Sequence, residues 1–289
     1  MPSSAFDRLA PLAFVALWST GWIVARYSAD YADPLTFLCL RYALAGALLG
    51  ALALASKAPF PRGRAAWGHA LASGILLHAI YLGLVWWVIR KGLPASLSAL
   101  IAASQPLATA WLAPRLLGEK ASARRWAGVA LGFCGLLLVL WPKLAIAGAA
   151  TPELIGLNLL GMASATAGFF YQKRFLKTGD LRPTAAIQYL GALALTLPAA
   201  WILEPMRVEW NLTMVLVLGW SAVVLSIGAI GLLLLLIRHG EVSRASQLIY
   251  LVPPTAALQA WALFGEKLGA AQILGMVVTA AGVALASRG

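Results

Sequence analysis

The sequence predicts an all-α polytopic membrane protein, with ten transmembrane helices arranged as two inverted five-helix repeats. Three observations lead there. First, 61% of the 289 residues are hydrophobic and only 11% are charged, whereas a soluble domain carries about 25% charged residues. Second, the chain divides into ten runs near the ~20 apolar residues that a spanning helix needs. Third, it is written twice. The run that begins Arg90-Lys91-Gly92 after Ile89 is echoed by Arg238-His239-Gly240 after Ile237. Leu117-Gly118-Glu119-Lys120 is answered by Phe264-Gly265-Glu266-Lys267, and Gly128 and Gly135 by Gly275 and Gly282, at an offset of 147 or 148 residues. The repeats are expected over residues 1–147 and 148–289.

The first span, 9–27, carries Trp18 and Trp22 one turn apart. The second, 35–55, holds Arg41 and the small-residue pair Gly46-x-x-x-Gly50, a close-packing signal. The third, 68–89, places His78 and Tyr81 three apart on one face, followed by Trp86 and Trp87. The fourth, 94–116, bears Ser98, Gln105 and Thr109 beside Pro106, and the fifth, 125–142, opens on Gly128-x-x-x-Gly132. In the second copy, 154–173 carries Ser164, Phe169 and Gln172, and 183–203 carries Gln188-Tyr189 in register with Arg41-Tyr42. The span 212–237 sets Ser226, Ala229, Leu234 and Leu235 opposite His78, Tyr81, Trp86 and Trp87. Span 243–264 has Ser243, Gln247 and Tyr250 on one face and Pro253-Pro254, and 268–287 closes the chain. Intramembrane prolines free carbonyls one turn back. Pro106, Pro253 and Pro254 are therefore expected to bend their helices at gating positions and to expose acceptors for a substrate.

With the N-terminus in the cytoplasm, the cytoplasmic segments hold fifteen basic residues and the opposite side six. Both termini are thus expected in the cytoplasm of a bacterial inner membrane. Each copy has an odd number of helices, so the second enters the membrane in the opposite sense. Such pairs enclose a midplane site that rocking exposes to alternate sides. The net charge of +12 does not point to nucleic acid, because the basic residues lie in short gaps and form no face. Cys39 and Cys134 sit within apolar runs, which argues against a disulfide or metal site, and no cofactor is expected. The small-residue motifs are assigned to internal contacts, and a monomer is expected.

Trp18-Ser19-Thr20-Gly21, Leu40-Arg41-Tyr42, Gln105-Pro106-Leu107 and the two Gly-Glu-Lys turns together resemble the drug/metabolite transporter superfamily. The twice-five layout is similar to its EamA-type members, and within them the chain looks most like bacterial aromatic amino-acid exporters of the YddG kind. The resemblance covers nearly the whole chain. It implies a central cavity lined by the first, third, fourth, sixth, eighth and ninth helices. The sequence departs from that pattern in the sixth helix, where many members have tryptophan and this chain has Ala165 to Gly168 before Phe169-Phe170.

The expected activity is export of neutral amino acids, aromatic and methionine-like, with threonine a further candidate. Export of another metabolite or drug on the same fold is the alternative. The spans hold no carboxylate pair, metal-ligand cluster or activated nucleophile, so a membrane enzyme or assembly protein is the more distant alternative. Candidate substrate contacts are Trp18, Trp22, His78, Tyr81, Gln105, Phe169, Gln172, Gln247 and Tyr250. Two roles fit Arg41, an arginine that costs about 2.5–3.5 kcal/mol to insert at a helix centre: binding a substrate carboxylate, or pinning the second helix. Two also fit His78, a proton carrier or a neutral interhelical hydrogen-bonding group. Trp86, Trp87 and Trp141 read as interfacial belt residues. All ten acidic residues fall in loops or at span ends, which argues against multidrug cation efflux.

Overall fold

A computed structural model describes residues 5–93, 98, 101–102, 105–118, 122–144, 151–239, 247–264 and 269–287. Among them secondary structure is helical, apart from one isolated antiparallel bridge between Ala32 and Val208. Six helices are long and apolar enough to cross a membrane: Leu9–Ala29, Pro34–Ala55, Arg64–Arg90, Pro152–Phe175, Leu181–Leu203 and Leu212–Arg238. Their bounds lie within four residues of the expected ones. Four further helices, Gln105–Leu117, Ala123–Leu144, Val252–Phe264 and Ala270–Ser287, occupy the remaining expected spans in whole or in part. Large apolar side chains on the outer surface, including Trp201 at 77% exposure and Leu212 at 74%, would be costly in water and suit a lipid surround.

Helix starts are set by local chemistry. Pro34 and Pro152 occupy first-turn positions, where a missing N–H costs nothing. The side chains of Asp180 and Asn211 cap helices 181–203 and 212–220 by accepting from the Arg182 and Met214 amides at 2.9 and 2.8 Å. Helix 34–55 is capped from a distance: Glu204 accepts from the Leu35 and Thr36 amides at 2.8 and 2.9 Å. Asp33 in turn accepts from the Arg207 amide at 2.8 Å, so the 30–33 and 204–209 turns form one locked edge.

Two pairs of helices related by the 147–148 offset pack against each other in opposite directions. Along helices 123–144 and 270–287, Gly128 meets Ala286, Gly132 meets Gly282, and Gly135 meets Gly275 and Thr279. A Cβ on Gly128 would lie 2.3 Å from the Ala286 amide nitrogen, and one on Gly282 2.3 Å from that of Gly132. Only glycine permits this approach. Helices 34–55 and 181–203 repeat the pattern, with Tyr42 stacked on Tyr189 at 5.8 Å and Gly46 beside Ala186.

The third helix of each copy carries a π-helical segment, Ile75–Ile80 and Ser221–Ala229. Such widened turns leave carbonyls without ordinary partners and often mark functional positions. Tyr42 donates to the His78 carbonyl at 3.0 Å, and its counterpart Tyr189 to the Ser226 carbonyl at 2.8 Å. Ser164 donates to the Leu76 carbonyl at 2.9 Å.

Candidate functional site

A cavity of about 310 Å³ opens beside the locked 30–33 edge. Its first wall is the small-residue face of helix 21–29, where Gly21, Ala25 and Ala29 recur every fourth position below Trp18. Tyr81, Leu82, Val85, Trp86 and Ile89 form the second wall, and Leu225, Ile249, Val252 and Pro253 the third. Trp18 is braced by Phe14 at 5.4 Å, and Trp86 stacks on Phe37 at 5.5 Å with the planes 12° apart. The aromatic walls are therefore held rigidly.

Arg41 forms the polar floor. It is 4% exposed yet faces the cavity. Its Nε donates to the Ser226 hydroxyl at 2.7 Å, which fixes the plane of the guanidinium. The terminal nitrogens then remain as a fork suited to a carboxylate. Arg90 sits at the mouth, and no aspartate or glutamate is among the described lining residues.

The counterpart of Arg41 is differently placed. Gln188 donates to Gln172 Oε1 at 2.7 Å and to Ser73 Oγ at 3.1 Å, while Ser73 donates to Gln172 Oε1 at 2.9 Å. All three are buried, and this closed polar knot fills the place that the cavity occupies in the other copy. Toward the end of helix 212–238, Arg238 donates to the Gly179 carbonyl at 2.6 Å and to those of Leu176 and Thr178 at 3.3 and 3.4 Å. Lys173 Nζ donates to the Arg238 carbonyl at 3.1 Å. Beneath these contacts Ile230, Leu233, Leu234 and Ile237 are buried in the main core.

A second hollow, about 550 Å³, lies between helices 105–117 and 152–175. Gln105 lies at its wall, with Met162, Thr166, Tyr171 and Arg174. Ile101 and Met162 pack with Tyr81 and Ala102 in one small cluster, in which Met162 lines this hollow and Tyr81 and Ala102 line the cavity.

Of the residues singled out by sequence, Trp18, Tyr81, Arg41 and Pro253 line the cavity. Gln105 lines the other hollow instead. Phe169 is buried in the main core, and Gln172 belongs to the closed knot. Tyr250 packs between helices 123–144 and 270–287 against Gly132, with its hydroxyl unpartnered among the described residues. Gln247 is buried, and its amide is likewise unpartnered. His78 lies off the cavity, its ring 4.9 Å from that of Tyr189, both ring nitrogens unpartnered among the described residues. Pro253 and Pro254 stand in the first turn of helix 252–264, which follows the 3₁₀ turn at Leu248–Leu251 without a break in the helical backbone. Pro106 is buried in the first turn of the described helix Gln105–Leu117. The Trp22 side chain, Ser243 and most of both Gly-Glu-Lys turns lie outside the described residues. Trp141 is 66% exposed, whereas Trp86, expected in the interfacial belt, is a cavity wall.

Sequence inspection missed Ala25, Ser28, Leu225 and Ser226 as site residues. The four-residue spacing of Gly21, Ala25 and Ala29 was a usable signal for Ala25, because a stripe of small side chains hollows a helix face. Ser226 stood out only as the counterpart of His78.

Comparison with known proteins gives a consistent picture. Over 98% of this chain and 93% of its own length, the uncharacterized inner membrane transporter YedA of Escherichia coli is 29% identical. A probable amino-acid metabolite efflux pump of the same organism is 24% identical over 96% of this chain and 93% of its own. A solved crystal structure at 19% identity covers 99% of both chains with a TM-score of 0.81, which shows a shared fold. The EamA-like transporter family model matches twice, over residues 9–141 and 154–288. The chain belongs to the EamA-like transporter family.

Proposed function

We propose that this protein exports small carboxylate-bearing metabolites, a class that includes neutral amino acids with aromatic or methionine-like side chains, from the cytoplasm by alternating access. The single observation that carries the substrate class is the floor of the cavity: a buried arginine held by Ser226 at 2.7 Å, facing the chamber between aromatic walls. A guanidinium fork matches a carboxylate, and Trp18, Tyr81 and Trp86 suit a bulky apolar tail. The efflux pump named for amino-acid metabolites, similar over nearly its whole length, supports the same class.

The ten-span topology, with both termini cytoplasmic and two inverted copies, is part of the proposal. Its support is the twofold family match and the opposed packing of offset-related helices. In that arrangement the cavity opens away from the cytoplasm, while on the cytoplasmic side the Arg238 contacts tie the end of helix 212–238 to the 176–179 turn beside the second hollow. Purified protein in liposomes is expected to move labelled tryptophan, methionine or threonine, and Arg41→Gln to abolish that movement while the protein still folds. A broad amino-acid panel with no flux above protein-free vesicles would refute the substrate class.

A further inference from the structure

Deepening the export reading and resting on it, we infer that the site prefers carboxylates without a free ammonium to the zwitterionic amino acids themselves. N-acylated amino acids and aryl-alkyl monocarboxylates are the chemical class.

The argument concerns charge inside the chamber. Arg41 at the floor and Arg90 at the mouth are both cavity-lining, and the described lining contains no acidic residue. Two acidic groups near the mouth are committed elsewhere, and Asp30 is exposed outside the described lining. Glu204 accepts from the Leu35 amide, the Thr36 amide and the Thr36 hydroxyl, and Asp33 accepts from the Arg207 amide. Neither carboxylate faces the chamber. A substrate ammonium brings one more positive charge and three donors into this space. The side-chain acceptors it meets are hydroxyls, Tyr81 and a Ser28 that already donates to the Ala25 carbonyl at 3.3 Å. Uncharged acceptors do not offset the repulsion of two guanidinium groups in a partly desolvated cavity, where charges are weakly screened. The floor arginine is not neutralised either, since its protein partner is the neutral Ser226 hydroxyl.

Acylating the amine removes the repelled charge and leaves the carboxylate intact. The added group is apolar, and Leu82, Val85, Leu225 and Trp86 provide apolar wall for it. The two arginines also draw anions inward from the mouth. At an effective dielectric near 20, a like charge roughly 12 Å from a guanidinium corresponds to roughly a tenfold difference in affinity.

The test uses the full chain in liposomes with radiolabelled N-acetyl-L-phenylalanine as tracer. L-phenylalanine, unlabelled N-acetyl-L-phenylalanine, 3-phenylpropionate and phenethylamine serve as competitors at pH 7. The two anions are expected to compete at roughly tenfold lower concentration than L-phenylalanine, and phenethylamine not to compete. Arg90→Gln, at an exposed position, is expected to narrow the anion-to-zwitterion gap several-fold. L-phenylalanine competing as well as its N-acetyl form, phenethylamine competing at all, or a gap unchanged in Arg90→Gln would each overturn the inference. Labelled L-phenylalanine transported better than the anions sinks this inference and leaves the export reading standing. No transport of any carboxylate sinks both.

Discussion

Removing the Arg238 side chain is expected to loosen the end of helix 212–238 from the 176–179 turn. In the described structure its guanidinium makes one short bond, 2.6 Å to the Gly179 carbonyl, and two long ones to Leu176 and Thr178. Hydrogen bonds from a charged donor contribute about 1.5–3 kcal/mol net. Because these bonds are partly exposed and two are long, the set is worth about 2 kcal/mol, near the low end of that range. Arg238→Ala should therefore shift the closed-to-open balance at that helix end by about 30-fold. The repeat register identifies reporters: Leu234 and Ile237 are the counterparts of the cavity-lining Trp86 and Ile89, and are 1% and 0% exposed. With Cys39 and Cys134 replaced by alanine, single cysteines at Leu234 or Ile237 should react slowly with a membrane-impermeant thiol reagent. In Arg238→Ala they should react about 30-fold faster, and Arg238→Lys should fall between. If a folded Arg238→Ala protein labels at the parental rate, the arginine does not hold that helix end in place and the reasoning fails.

Three further outcomes follow from the packing. Gly282→Ala sets a Cβ 2.3 Å from the Gly132 amide nitrogen, and should lower stability by about 1–3 kcal/mol in detergent melting. Gly50→Ala, with nothing within 4 Å, should not. Tyr189→Phe removes the 2.8 Å bond to the Ser226 carbonyl and should cost about 1–3 kcal/mol for the orphaned acceptor; an unchanged melting temperature would show that the widened turn satisfies itself. The side-chain bond from Arg182 holds the Asp180 carboxyl below its usual range. Asp180 therefore stabilises the folded state above its unfolded pKa of about 3.9, and that contribution is lost as pH falls through its lower folded value. Asp180→Asn should melt lower than the parent at pH 7, with the difference shrinking toward pH 2.

The helices were readable because membrane spans are defined by length and apolarity, two quantities that a single sequence carries in full. The tight crossing of helices 123–144 and 270–287 was readable too, since its glycines recur at the repeat offset. The cavity was only half readable. Sequence marks polar and aromatic side chains, whereas a cavity also depends on what is missing, as at Ala25 and Ser28. Tyr81 lines the chamber and Gln172 does not, although both are polar groups in apolar helices. The difference is made by partners 16 and 99 residues away, Gln188 and Ser73, that close around Gln172.

The disagreement between the copies at His78 and Ser226 has a specific physical meaning. Both residues stand in widened turns whose carbonyls are bound by equivalent tyrosines, Tyr42 and Tyr189, so the frame is shared and only the side chains differ. A histidine at one site packs its ring against Tyr189 and fills space. A serine at the other is small enough to leave Arg41 facing the cavity and polar enough to hold its Nε at 2.7 Å. The asymmetry that draws attention to the histidine therefore acts through the serine. Ser226→Ala should keep the tyrosine bond to the backbone carbonyl, which needs no side chain, and release the guanidinium from its fixed plane. Apparent affinity for carboxylates is then expected to fall by roughly tenfold, about the value of one hydrogen bond to a charged group, while melting temperature changes little. Equal affinity in Ser226→Ala would mean that Arg41 needs no positioning. A loss of stability without loss of affinity would make the pair structural, and would return Arg41 to the role of pinning its helix.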